Sequence, residues 1–145
     1  MKRAIFSVAV AIALTAVASA QDKPSFAGTW KASGSFNTWT ITTEGNKMTV
    51  TMTVAGNSES TLYMLDGTPS PKAIEGPDGM SENIYTSTWE GPVLVTTITG
   101  KFVTLVEKRW IDADCTMKVL TTMTMLQGKP APPRPETPMV FTKVG

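Results

Sequence analysis

EGNKMTVTMT, residues 44–53, and EGPVLVTTIT, residues 90–99, are two copies of one pattern. Each is a turn dipeptide followed by a threonine-rich stretch that alternates apolar and polar side chains. A period of two marks a half-buried strand, and no helical period competes with it. The pattern predicts a chain of β-hairpins. It fixes the fold class and names no chemistry.

The first hairpin can be placed by register. A two-residue Gly45-Asn46 turn sets Glu44 opposite Lys47, an opposite-charge pair. It also sets Thr43 opposite Met48, Ile41 opposite Val50 and Trp39 opposite Met52, all on one face. Thr42, Thr40 and Thr38 meet Thr49, Thr51 and Thr53 on the other. A one-residue slip would scramble both faces, so the pairing is well specified. A following Gly56-Asn57 turn would bring Thr61, Tyr63 and Leu65 to the inner face, whereas a longer turn would bring Leu62 and Met64. The Gly91-Pro92 hairpin sets Trp89 opposite Leu94 and Tyr85 opposite Ile98. A Gly100-Lys101 turn carries that face on to Val103 and Leu105.

Working outward, strands are expected at 26–31, 39–43, 47–54, 59–65, 83–89, 93–99, 103–111, 116–126 and 139–144. The stretch DGTPSPKAIEGPDGMSE between Leu65 and Asn83 reads as a long loop. The proline-rich KPAPPRPETP, residues 129–138, reads as an extended connector, because proline removes ladder donors. The expected architecture is all-β: an up-and-down antiparallel meander of eight or nine strands. It would curl into a β-barrel or barrel-like sheet, because closure removes exposed edges.

The first twenty residues read as a signal peptide. Lys2 and Arg3 precede an apolar run over 4–17, and Ala18-Ser19-Ala20 is a small-x-small cleavage pattern before Gln21. The apolar run is too short to span a bilayer. No cysteine follows the cleavage point, which argues against a lipoprotein. The expectation is a mature domain of residues 21–145, exported to the periplasm or beyond the cell, with no membrane span. Without Lys2 and Arg3 the chain is near neutral and has no basic stripe, so nucleic acid is a poor candidate partner. Cys115 is the single cysteine, which rules out an internal disulfide and leaves a buried thiol or a free one.

The chain contains no histidine. That removes the commonest general base and the usual zinc and copper ligand. No phosphate-binding glycine loop is present. Asp112-Ala113-Asp114 resembles the start of a calcium loop without its later ligands, and reads as a hairpin tip. Asp66, Glu75, Asp78 and Glu82 surround the long loop as solvated charges. Met48, Met52, Met117, Met123 and Met125 lie on strands. Thioethers bind Cu(I), but such sites usually recruit His or Cys as well, so adaptable core packing is the better reading. Neither a cofactor nor a metal is expected, and an enzyme is the least favoured class.

Gly28-Thr29-Trp30 resembles the G-x-W pattern that opens the first strand of lipocalins. Lys143 on the last strand matches the cation those barrels stack over the Trp. The chain is also similar to a group of small exported bacterial lipocalin-like proteins. They share a GTWK opening, a W-x-G-x-x-L-V-V-T block and an E-x-W-x-x-S-x-D-G-x-x-L-T block. Here these read AGTWK, WEGPVLVTT and EKRWIDADCTMKV, with Cys115 where the pattern has glycine. The resemblance implies a β-barrel and no catalytic residues. Small barrels of this kind often anchor an anionic head with an internal Arg and a Tyr. Arg109 is the only arginine on an expected strand, with Tyr63 or Tyr85 as partner, although an arginine on the outer wall is the commoner arrangement. The candidate site is therefore Trp39, Met48, Met52, Tyr63, Tyr85, Trp89 and Arg109, binding a small apolar or amphipathic molecule inside the barrel. The alternative is a structural or protein-interaction module of the cell envelope with a filled core.

Overall fold

The computed structural model describes residues 23–145, so the expected signal peptide lies outside the described residues. Eleven strands form one sheet: β1 Gly28–Ala32, β2 Thr38–Glu44, β3 Lys47–Val54, β4 Asn57–Met64, β5 Ser70–Gly76, β6 Gly79–Glu90, β7 Val93–Thr99, β8 Val103–Ile111, β9 Met117–Leu126, β10 Lys129–Pro130 and β11 Met139–Val144. All pairings are antiparallel, in the order β4-β3-β2-β1-β11-β9-β8-β7-β6-β5, with β10 beside β9. The sheet curls into a nearly closed barrel.

The expected register of the first hairpin is found in full, from Glu44 opposite Lys47 to Thr38 opposite Thr53. The second turn is Ala55-Gly56, not Gly56-Asn57: Val54 pairs with Asn57, and both turn residues have positive φ, 50° and 82°. That is the conformation whose twist suits a two-residue hairpin. The pairing moves by two residues, so the faces survive: Tyr63 is buried and Leu62 exposed. Trp89 faces Leu94 and Tyr85 faces Ile98, as the sequence predicts.

The strand count exceeds the expected eight or nine because the supposed loop between Leu65 and Asn83 is a hairpin. It contains β5 and the first turn-side residues of β6. Ser70, Lys72 and Ile74 alternate inward behind the turn signals. Pro71 is tolerated because β5 ends the hydrogen-bonded path, so one side of this strand needs no ladder donors. The proline-rich connector likewise holds the two-residue β10.

Between β4 and β5 no main-chain ladder forms, leaving a seam. Side chains fasten it. Lys72 Nζ lies 2.7 Å from Glu59 Oε1 and donates to Thr61 Oγ1 at 2.7 Å. Tyr63 meets Tyr85 edge to face, ring centroids 5.4 Å apart.

One end of the barrel is closed. Phe26, expected in the first strand, precedes β1 and inserts its ring into the barrel end at 2% exposure. The ring stacks on Trp89 at 5.8 Å, and its carbonyl accepts from Trp30 Nε1 at 2.8 Å. Lys143 is opposite Trp30 in register and holds its Nζ 5.5 Å from the indole. Gly28 has φ +132°, and a Cβ there would sit 2.6 Å from Lys143 Cε. The G-x-W pattern is thus explained: glycine lets the lysine cross, and the lysine seals the tryptophan. Cys115 is exposed, with φ +63°, a conformation that glycine at this position would adopt without strain.

Candidate functional site

Burial falls from the closed end to the other along the inner faces of β3, β4, β8 and β9, while β7 stays buried through Ile98. On β3, Met48 and Val50 are buried and Met52 is half-buried. On β4, Tyr63 is buried, Thr61 half-buried and Glu59 exposed. On β8, Arg109 and Glu107 are buried and Leu105 half-buried, while on β9 Met117 and Val119 are buried and Thr121 is exposed. These residues share one face, because Met48 pairs with Tyr63, Glu107 with Thr121 and Arg109 with Val119. The interior is packed in one half and reaches solvent in the other.

The open half owes its access to a short neighbour. Strand β11 pairs with β9 only over Met117–Val119. Beyond it the proline-rich segment forms the wall. A cleft of about 510 Å³ lies against Leu105, Thr121 and Met123 on one side and Pro132, Arg134 and Glu136 on the other. A second cleft, about 560 Å³, lies outside the closed end, where Lys23 sits 5.6 Å from the Trp89 ring.

At the boundary between the halves stands Arg109. Its side chain is 0% exposed, so it points inward and the outer-wall alternative is overturned. Leu105 already carried the signal: Ile98 pairs with Leu105, and two steps of period two from Leu105 put Arg109 on the same face. The guanidinium donates from Nη2 to Glu107 Oε1 at 2.7 Å and from Nη1 to Met48 Sδ at 3.9 Å. The rings of Tyr63, Trp39 and Phe26 surround it at 5.1, 5.4 and 5.9 Å. Two buried donors, Arg109 Nε and Trp39 Nε1, have no acceptor among the described residues. Native interiors rarely leave such groups unpaired.

Of the seven sequence-predicted site residues, Trp39, Met48 and Tyr63 touch Arg109 directly. Tyr85 meets Tyr63 across the seam, and Met52 pairs with Trp39 on the side of the open half. Trp89 is set apart, stacked on Phe26 at the closed end. Sequence reasoning missed Glu107, Glu59, Lys72 and Thr121, because charged and hydroxyl side chains inside a barrel break the apolar pattern used to find the inner face. The polar band continues with Ser87 and Thr96, buried and joined by a 2.8 Å hydrogen bond. Among the described residues no group of three His, Cys, Asp or Glu could hold a metal.

Burial opposes the charge on Arg109, but Glu107 and Tyr63 together outweigh that and keep it protonated. Burial, with Glu107 adding to it, holds the Tyr63 phenol protonated well above its ordinary 10.0. Burial shifts Tyr85 the same way. The unfolded chain releases the phenol protons near pH 10 while the native state keeps them. Stability is therefore fully present below about pH 10 and falls as pH rises above it. Thermal unfolding followed from about pH 8.5 to 11 should show this loss, and Tyr63→Phe should reduce its slope. An unchanged slope would remove Tyr63 as the cause.

No protein-family model and no curated protein sequence matches the chain. Many solved structures are similar to it, and two illustrate the likeness. The REP1-NXSQ fatty acid transporter aligns with TM-score 0.59 and 11% identity over 82% of this chain and 96% of its own. Fatty-acid-binding protein 1 of Echinococcus granulosus aligns with TM-score 0.60 and 15% identity over 83% of this chain and 98% of its own. At these identities the likeness is one of fold. What is shared is a nearly closed antiparallel β-barrel, which agrees at the level of fold with the expected barrel.

Proposed function

We propose that this protein is an exported, non-catalytic barrel that binds a small apolar or amphipathic molecule in its open half. The observation that carries this reading is the inner face itself, packed on one side of Arg109 and solvent-accessible on the other, with two unpartnered donors at the boundary. Ligand sites are concave and mostly apolar, with a few polar groups that fix orientation. Leu105, Thr121 and Met123 line the cleft, and Met52, Glu59, Lys72 and Tyr85 stand on the inner face beyond it. The two similar barrels are a fatty acid transporter and a fatty-acid-binding protein, which supports a lipid-like guest. Export rests on the pattern of residues 1–20, and places the protein in the periplasm or outside the cell. A structural barrel with no guest is the second reading, and the filled closed half favours it.

The test is a titration of residues 21–145 with a neutral environment-sensitive dye such as Nile red. Saturable enhancement by folded protein is expected, with quenching of tryptophan emission as Trp39 meets the dye. Thr121→Trp should block it, because an indole there fills the open half while Thr121 itself supports no core. Folded protein that gives no saturable signal favours the structural reading.

A further inference from the structure

We propose that the open half selects an uncharged head group that accepts hydrogen bonds, and rejects the matching anion. This inference rests on the ligand-binding reading above. An internal arginine suggests a carboxylate guest, but the two cations of the inner face are already occupied. Arg109 holds Glu107 at 2.7 Å, and Lys72 holds Glu59 at 2.7 Å. Tyr63 and Tyr85 stay uncharged below their raised pKa values. The charges of these four inner-face residues sum to zero.

Glu107 is the decisive group. Its side chain is 9% exposed where that of Arg109 is 0% exposed, so the acid, not the base, is the side of the pair nearer solvent. Its partner across the ladder is exposed Thr121, and the next inner-face residue toward the open half is half-buried Leu105. A carboxylate entering there meets a carboxylate first, in surroundings where like charges repel more strongly than in water. It would also lose its hydration without gaining a free cation on the inner face, since the exposed Arg134 stands in the proline-rich wall beside Glu136.

What the boundary lacks is an acceptor. Arg109 Nε and Trp39 Nε1 are both donors, both buried and both unpaired. Trp39 spans the two halves: its ring lies 5.4 Å from the guanidinium carbon, and its strand partner Met52 belongs to the open half. An ester, ether or amide oxygen can accept from either donor and brings no charge to desolvate. The ligand class is therefore a neutral amphiphile with an oxygen acceptor at one end.

The experiment compares decanoate, methyl decanoate and decane as competitors of bound Nile red, at about pH 8 where the acid is ionised. The ester should bind at least about tenfold more tightly than the anion, and more tightly than the alkane. Glu107→Gln keeps the shape and removes the negative charge, so the anion should gain at least about tenfold relative to the ester. Decanoate binding as well as the ester in the unaltered protein overturns the inference, whether or not the variant folds. Equal binding of ester and alkane removes the acceptor claim. An unchanged anion-to-ester ratio in a folded Glu107→Gln protein removes Glu107 as the cause. If the dye binds and none of the three displaces it, the inference fails while a guest site survives. If the dye does not bind either, the binding reading fails with it.

Discussion

Arg109→Ala should cost about 3–5 kcal/mol of stability, although arginine is a surface residue in most folds. The charge it neutralises is buried: Glu107 is 7% exposed and its hydrogen bond to Arg109 is 2.7 Å long. Removing the base leaves a carboxylate beside Tyr63 and Thr96 with nothing to balance it. The three rings around the guanidinium lose their common contact at the same time. Removing both charges is a different matter. A Glu107→Leu, Arg109→Met double variant should lie within about 1–2 kcal/mol of the starting protein, because apolar side chains of similar volume replace a pair that is costly to desolvate. Urea unfolding of both single variants and the double gives the coupling. Lys72→Ala supplies the contrast. Its partner Glu59 is 58% exposed, so that loss should be below about 1 kcal/mol. A double variant as unstable as the arginine single would show that the buried pair is a net stabiliser.

Phe26→Ala should cost about 3–5 kcal/mol even though the residue lies in no strand. The ring is the stopper of the closed end, stacked on Trp89 and facing Arg109. Its loss leaves a cavity open to water beside Trp30, Met48 and the guanidinium. The effect should therefore show twice, as a lower urea midpoint and as a red shift of tryptophan emission in the folded protein. Phe36→Ala is the control. Phe36 is 92% exposed at the β1–β2 turn, and its removal should be near neutral. Equal costs at the two positions would show that the stopper bears no load.

The sequence made the hairpins legible because a two-residue turn and a period of two leave one register that keeps Ile41, Met48 and Val50 together. The same logic failed where the strand chemistry is irregular. Pro71 and the Gly76-Pro77 step disguise β5, since an edge strand may carry residues that an inner one excludes. Phe26 reads as strand by continuity with Gly28-Thr29-Trp30, and only the fold shows it turning across the barrel end. Arg109 and Tyr63 were visible as candidates from their types, and the Leu105 register already held the direction of Arg109. Glu107 was not visible as its partner. The pair sits at i, i+2 on one strand, and from sequence alone such a carboxylate is as easily assigned to solvent as to the interior. The seam between β4 and β5 left no trace either, because it is an absence of main-chain pairing between segments whose own patterns are ordinary.

That seam makes the molecule a split sleeve rather than a hoop. In a continuously bonded barrel, strand number and stagger fix the bore. Here the circumference is interrupted at one place, and a single lysine with two aromatic rings acts as the fastener. The bore can widen by parting β4 from β5 without breaking any strand ladder, so the wall gives along one line. Amide hydrogens on the facing edges of those two strands should then exchange with solvent well ahead of those in β7, β8 and β9.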